Sequence, residues 1–180
     1  INETGILFSA DSKTGLKNWK FGVSDAFLSG PVVSNSDVYV GCTDHNLYAI
    51  NEANGREKWR FEANDTIEAG PAVSDGVVYV GCTDHNLYAI NTANQSEKWR
   101  FTTGDAIKAV PAFSDGVVYI GSTDKKLYAI DAMTGKGMWM FETGKEITST
   151  PVISQGIVLV QNSYDKIYAI NGQKNQQNRS

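Results

Sequence analysis

Four tryptophans fall at one fixed interval: Trp19, Trp59, Trp99 and Trp139 are each 40 residues apart. The same interval separates Phe21, Phe61, Phe101 and Phe141, and also Pro31, Pro71, Pro111 and Pro151. Tyr48, Tyr88, Tyr128 and Tyr168 keep it too, with Phe8 in the tyrosine's place one repeat earlier. A period of this length marks an array of like units, each unable to bury its apolar surface alone. No insertion breaks the register, so the units have no room for an added catalytic loop or subdomain.

Within a unit the apolar pattern is that of strands. In residues 71–101, Pro71-Ala-Val-Ser74 is short and apolar and opens on a proline, which suits the start of a strand. Asp75-Gly76 predicts a two-residue hairpin turn of type I′. Val77-Val-Tyr-Val-Gly81 is β-branched and aromatic. Thr83-Asp-His-Asn86 is a polar turn, Leu87-Tyr-Ala-Ile90 a third strand, and Asn91 to Ser96 a loop. Glu97-Lys-Trp-Arg-Phe101 alternates polar and apolar, as a half-exposed fourth strand does. Thr102 to Val110 then leads to the next unit. Nothing in the repeat reads as helix.

Four short antiparallel strands per 40-residue unit, repeated in tandem, predict an all-β fold, a β-propeller of four-stranded blades. Stacking each sheet on the next covers its faces, and closing a ring protects its edges. The expected domain spans 1–170: a partial blade at 4–21, blades at 31–61, 71–101 and 111–141, and an incomplete blade at 151–170. The polar residues 171–180 read as a tail. The last blade lacks a fourth strand and a tryptophan of its own. Lys17 to Phe21 offers both, but Ile6 to Ala10 and Ile167 to Ile170 then compete for one position. Three readings follow: a piece of a longer propeller, one half of a ring completed by a second copy, or a four-blade closure with one strand displaced.

The repeat also carries a resemblance. Ala129-x-Asp131-x-x-Thr134-Gly135-x-x-x-Trp139 resembles the tryptophan-docking motif of the quinoprotein, or pyrroloquinoline-quinone-like, propeller family. Ser9 to Trp19 and Ala49 to Trp59 are variants of it, and Ala89 to Trp99 departs further, with Gln95 where glycine is expected. The resemblance covers almost the whole chain. It implies that Trp19, Trp59, Trp99 and Trp139 join adjacent blades near the alanines Ala49, Ala89, Ala129 and Ala169. A tryptophan buries a large area while its N–H needs an acceptor, and a small alanine lets the ring approach backbone. Family members commonly have about seven or eight blades, so a homodimer forming half of an eight-bladed ring per chain fits.

Candidate chemistry obeys the repeat, whereas a single active site breaks it. Cys42-Thr43-Asp44-His45 and Cys82-Thr83-Asp84-His85 resemble ligand sets, but repetition in successive blades spreads them around a ring instead of gathering them at one metal. The third unit has Ser122-Thr-Asp124-Lys125 and the fourth Asn162-Ser-Tyr-Asp165. Asp44, Asp84 and Asp124 are therefore expected to shape the turns between second and third strands. Ser34, Ser74, Ser114 and Ser154 likewise recur and do not mark one nucleophile. The cysteines sit one repeat apart, and a disulfide needs Cα atoms within about 7 Å, so both are expected as free thiols. Asp65, Glu68, Asp105 and Glu146 lie on connections sharing a face with those turns. That acidic rim, with Asp44, His45, Asp84, His85 and Asp124, is the candidate partner surface.

The formal net charge is −4 and no Lys/Arg run exceeds two residues, which argues against a nucleic-acid partner. No apolar run approaches the roughly 18 residues of a membrane span. The chain begins at Ile1 and not Met, so a processed or trimmed N-terminus is expected, any export signal being lost with it. Resemblance to the quinone enzymes implies a quinone, a calcium ion, a catalytic aspartate and often a vicinal cysteine pair. This sequence has no such pair and no long insertions, so no catalytic residue, cofactor or metal is assigned. The expected function is a non-catalytic scaffold, extracytoplasmic, binding a protein, a second copy or another ligand through its loop face. The alternatives are a fragment of a quinone-dependent dehydrogenase, with quinone and calcium bound, and a truncated or engineered propeller fragment that self-assembles.

Overall fold

A computed structural model describes residues 4–172, and every element in it is a β-strand. Most of the expected 171–180 tail lies outside the described residues. β1 (Gly5–Ala10) and β2 (Lys17–Val23) form a two-stranded antiparallel sheet. β3 (Val32–Ser34), β4 (Asp37–Gly41), β5 (Asn46–Asn51) and β6 (Glu57–Glu62) form the first four-stranded blade. The second comprises β7 (Ala72–Ser74), β8 (Val77–Gly81), β9 (Asn86–Asn91) and β10 (Glu97–Thr102). The third comprises β11 (Ala112–Ser114), β12 (Val117–Gly121), β13 (Lys126–Asp131) and β14 (Gly137–Glu142). β15 (Val152–Ser154), β16 (Ile157–Gln161) and β17 (Ile167–Asn171) make a three-stranded sheet.

Turn chemistry sets these boundaries. Asp75 and Gly76 have φ of 49° and 72°, both positive as a type I′ turn requires. Asn35-Ser36, Asp115-Gly116 and Gln155-Gly156 repeat that geometry. Between third and fourth strands, the Asp131 carboxylate accepts from the Thr134 amide and hydroxyl, each at 2.7 Å. The Asn51 side-chain oxygen does the same for the Ala53 and Asn54 amides at 3.0 and 3.1 Å. β2 pairs with β1, and among the described residues β17 has no fourth strand beside it. Thus Lys17–Phe21 does not complete the last blade here. The short first strands touch in turn, β3 to β7, β7 to β11 and β11 to β15, which puts them at the inside of an arc.

The core lies between blades. In β8, Val78 and Val80 face back toward Tyr39, Leu47 and Ala49. Val77 and Tyr79 face forward toward Val118, Ile120, Tyr128 and Ile130. Period-two alternation thus sends one strand's side chains into two separate cores. All five residues of β4, β8 and β12 are buried, whereas β16 alternates exposed and buried.

One close approach recurs in three successive joints. Ile67, Ile107 and Ile147, all fully buried, press their methyls on the backbone of Gly41, Gly81 and Gly121. A Cβ at any of the three glycines would lie 2.2 Å from the isoleucine Cγ2. Gly81→Ala is therefore expected to cost about 1–3 kcal/mol through overpacking, and Ile107→Ala about 2–5 kcal/mol through cavity formation. Each relieves the defect of the other, so the double variant should lose less than the sum of the singles. Urea unfolding midpoints of the four proteins check this, and strict additivity would refute the contact.

Candidate functional site

The turns between second and third strands stand at the end of each sheet that also receives the connection from the fourth strand to the next blade. Asp44, Asp84 and Asp124 are half-buried in these turns. Each accepts from the backbone amide two residues on: Asn46 at 3.0 Å, Asn86 at 2.9 Å and Lys126 at 3.0 Å. Each also accepts a tyrosine hydroxyl four residues on: Tyr48 at 2.5 Å on Asp44, and Tyr88 and Tyr128 on Asp84 and Asp124. Asp124 additionally holds the Gly104 amide at 2.8 Å. His45, His85 and Lys125 occupy the left-handed position of the turn, with φ of 73°, 72° and 76°. That conformation holds their side chains clear of the sheet, and all three are exposed.

The carboxylates are set electrostatically as well as geometrically. Burial alone raises the Asp84 carboxyl, but hydrogen bonds from Tyr88 and Asn86 outweigh it, and its pKa lies below the ordinary value. Asp44 follows the same balance with Tyr48 and Asn46. The tyrosines move the other way: burial first, then the aspartate, pushes Tyr48, Tyr88 and Tyr128 upward. Arg60 and Arg100 lie over the rings of Tyr48 and Tyr88, at 5.3 and 5.1 Å from the ring centroids, each tied to its own Glu57 or Glu97. The Asp-x-x-x-Tyr spacing stands in three of the units, but the sequence marks the tyrosines only as a recurring position and does not show where their hydroxyls end. The fourth unit departs: Tyr164 takes the aspartate's place, and Tyr168 donates instead to the Thr143 carbonyl at 2.9 Å.

The exposed rim is made by the residues around these locked turns. Asp65, Asp105 and Glu146 are exposed on the connections, and His85 Nε2 lies 3.8 Å from Asp105 Oδ1. Glu68 is half-buried and pairs with Lys108 of the next connection at 3.1 Å. The structure brings each rim residue to one face, but spaced from blade to blade. Among the described residues, no group of three or more His, Cys, Asp or Glu side chains is placed to hold a metal ion. Cys42 and Cys82 are buried free thiols. Cys82 Sγ donates to the Asp65 and Thr66 carbonyls of the preceding connection, at 3.2 and 3.3 Å. Ser122 makes the equivalent contacts to Asp105 and Ala106. Burial pushes both thiols up to about 12. These donors do not fit a quinone–calcium centre: the carboxylates are committed to turn amides and tyrosines, and the thiols lie in separate blades.

The tryptophans sit on the fourth strands, opposite the alanines of their own sheets: Trp59 to Ala49, Trp99 to Ala89, Trp139 to Ala129. Those three alanines are fully buried, while Ala169, with no strand beyond it, is exposed. The Trp19 indole donates to the Glu52 carbonyl of the next blade at 2.7 Å, and Trp99 to that of Ala132 at 3.0 Å. Gly55 and Gly135 lie beneath those rings, where a Cβ would come within 2.6 Å. Gln95 stands in the corresponding position before Trp59.

Blades of this topology and repeat define a β-propeller of quinoprotein-like units. The chain belongs to the PQQ-like repeat family described as outer membrane protein assembly factor BamB, which it matches over residues 3–108 and again over 94–177. BamB from Moraxella catarrhalis is similar with a TM-score of 0.82 at 20% identity, over 94% of this chain and 56% of that one. The chain therefore spans little more than half the length of that BamB. The computationally designed Ika8 protein is similar at a TM-score of 0.80 and 18% identity, over 88% of this chain and 50% of that one. The quinohemoprotein alcohol dehydrogenase ADHIIG from Pseudomonas putida HK5 gives 0.68 and 19%, over 79% and 32%. At these identities the likenesses show the fold. No curated protein matches the sequence. No helix among the described residues is long and apolar enough to cross a membrane.

The tyrosine lock gives a pH dependence. A carboxyl held below its unfolded value adds stability above the unfolded pKa, near 4, and loses it as pH falls through the folded value. Tyr88→Phe removes the donor that lowers Asp84. The variant should be less stable than the parent at neutral pH, by an amount that shrinks as the solution is acidified below about pH 4. Denaturation across pH 2–7 checks it; a gap that stays constant would show that Asp84 contributes no pH-linked stability.

Proposed function

We propose that the chain is a non-catalytic propeller scaffold that binds a protein partner through the rim carrying Asp44, His45, Asp84, His85 and Asp124, in an extracytoplasmic setting. The observation behind this is the division of labour on that face. The aspartates are locked inward by tyrosines, which leaves His45, His85, Lys125 and the acidic connections presented on rigid turns. A rigid, charged, unblocked face suits recognition of another macromolecule. Family membership supports a role in outer-membrane protein assembly. On this reading the tryptophans are blade joints, and the chain works without quinone or calcium. Photo-crosslinking residues placed at His85 and Asp105, compared with Asn94 at the opposite end of the sheet, test it in cells assembling outer-membrane proteins. Adducts to one defined envelope protein from His85 and Asp105 alone are expected. Equal adducts from Asn94, or none from the rim, would sink the reading.

A second copy is a further partner, favoured by the uncovered last sheet. Leu159 is 38% exposed, whereas Tyr39, Tyr79 and Tyr119 at the same register are 2%, 2% and 8%. Ile167 is 69% exposed, whereas Leu47, Leu87 and Leu127 are fully buried. At the other end Phe8 is 50% exposed in the position of Tyr48, Tyr88 and Tyr128. The two ends thus offer the two halves of the joint used inside the chain, the head-to-tail arrangement that closes a ring. Sedimentation velocity should show a dimer, and Ile167→Glu a monomer. A parent that stays monomeric at all concentrations would exclude the homodimer.

A further inference from the structure

The joint between the second and third blades differs from the joint before it at one end. A cavity of about 440 Å³ opens there, at the end of the sheets opposite the rim, between the hairpin turns and the loops joining third to fourth strands. Its size lies within the range of about 300–1,000 Å³ usual for ligand pockets. The joint one repeat earlier shows what has been lost. There the Tyr39 hydroxyl lies against the Asp37 carboxylate and the Thr92 hydroxyl, and Lys58 Nζ holds both Asp37 oxygens at 2.8 Å. In the second joint Val77 replaces Asp37 and Ala132 replaces Thr92. Tyr79, 2% exposed as a residue like Tyr39, thus lacks both of those partners, and it lines the cavity. With neither partner present, the hydroxyl is open to a group that enters the cavity.

The charge around the cavity changes in the same step. Asp75 and Asp131 stand where the earlier joint has Asn35 and Asn91, and Met138 stands where it has Lys98. With Asp115, the lining carries three carboxylates against the single ammonium of Lys98, a formal charge of −2. The equivalent positions of the earlier joint hold two carboxylates and two lysines and are neutral. Soft apolar surface is gained too: Phe113 replaces Val73 and Met133 replaces Ala93. Phe113 stacks on Tyr79, with centroids 6.3 Å apart and planes at 16°.

We propose that this cavity binds a guanidinium group, the arginine side chain of a partner peptide. A guanidinium is flat, so it suits a slot walled by aromatic rings and methionines. Its fork of N–H donors matches carboxylates placed around the opening, and one donor reaches the Tyr79 hydroxyl oxygen. Its positive charge answers the excess of carboxylates. The proposal stands apart from the rim reading, because it concerns the opposite face and different residues.

The test is a titration of the full chain with acetyl-Phe-Arg-amide, followed through the methyl resonances of Met133, Met138 and Met140. Met133 and Met138 line the cavity and Met140 does not. Saturable shifts of Met133 and Met138, with Met140 unmoved, are expected. The citrulline peptide, neutral but nearly the same shape, should give none. Asp131→Asn should weaken binding roughly tenfold or more through loss of one charged contact. The substitution keeps the turn, since Asn51 and Asn91 already hold the same turn in the earlier blades. Ala132→Thr, which restores the earlier joint's residue, should close the site while the Met140 resonance and the thermal midpoint show an intact fold. Equal shifts with the citrulline peptide, no effect of Asp131→Asn, or no saturable shift at millimolar peptide would each overturn the proposal.

Discussion

Everything in this molecule depends on each sheet burying both of its faces. A four-stranded sheet with two apolar faces cannot be stable in water alone, so each blade needs a neighbour on either side. The strand β8 shows how this works, with Val78 and Val80 committed to one joint and Val77 and Tyr79 to the next. The second strands gain nothing from polar alternation and are buried along their whole length. Where a neighbour is missing, the same strand type reverts to alternation, as in β16.

The joints are held at three radii. Nearest the rim, the side chain at position 82 or 122 bonds back to carbonyls of the preceding connection, whether it is a thiol or a hydroxyl. This explains how cysteine and serine exchange there: both are small donors, and neither needs to ionise. Deeper in the joint, isoleucine methyls rest on second-strand glycines, an approach that a Cβ would block. At the outside, the indoles of Trp19 and Trp99 reach the carbonyl of the next blade's turn over a glycine. The near-copies of the repeat therefore record contacts between units more than features within them.

The surfaces proposed for binding vary where the repeat is not obeyed. Asp44, Asp84 and Asp124 obey it, and their carboxylates are spent on tyrosines and turn amides. The left-handed turn position does not: it carries His45 and His85, then Lys125, and so varies the chemistry offered on an otherwise constant surface. The cavity beside Tyr79 departs further from the joint before it, changing charge and apolar character together. Repeat proteins hold their framework by symmetry, and individual sites arise by local departure from it.

Strands, turns and their order are legible in the sequence, because period-two patterning and the positive-φ residues of the hairpins act locally. It also placed Asp44, Asp84 and Asp124 in turns, since short acceptors cap a backbone amide two residues away. It did not reveal that Tyr48, Tyr88 and Tyr128 lock those aspartates, because a tyrosine in a core register gives no sign of where its hydroxyl ends. Which of the open alternatives holds at the ends is set by tertiary contacts: β2 stays with β1, read together as a partial blade, instead of completing the last sheet, and that sheet keeps an uncovered face, since this depends on which strand arrives as neighbour. The tertiary structure alone brought Asp75 to Asp115 and Asp131: the latter two meet by strand pairing within the third blade, whereas Asp75, 40 residues before Asp115, joins them only when two blades stack.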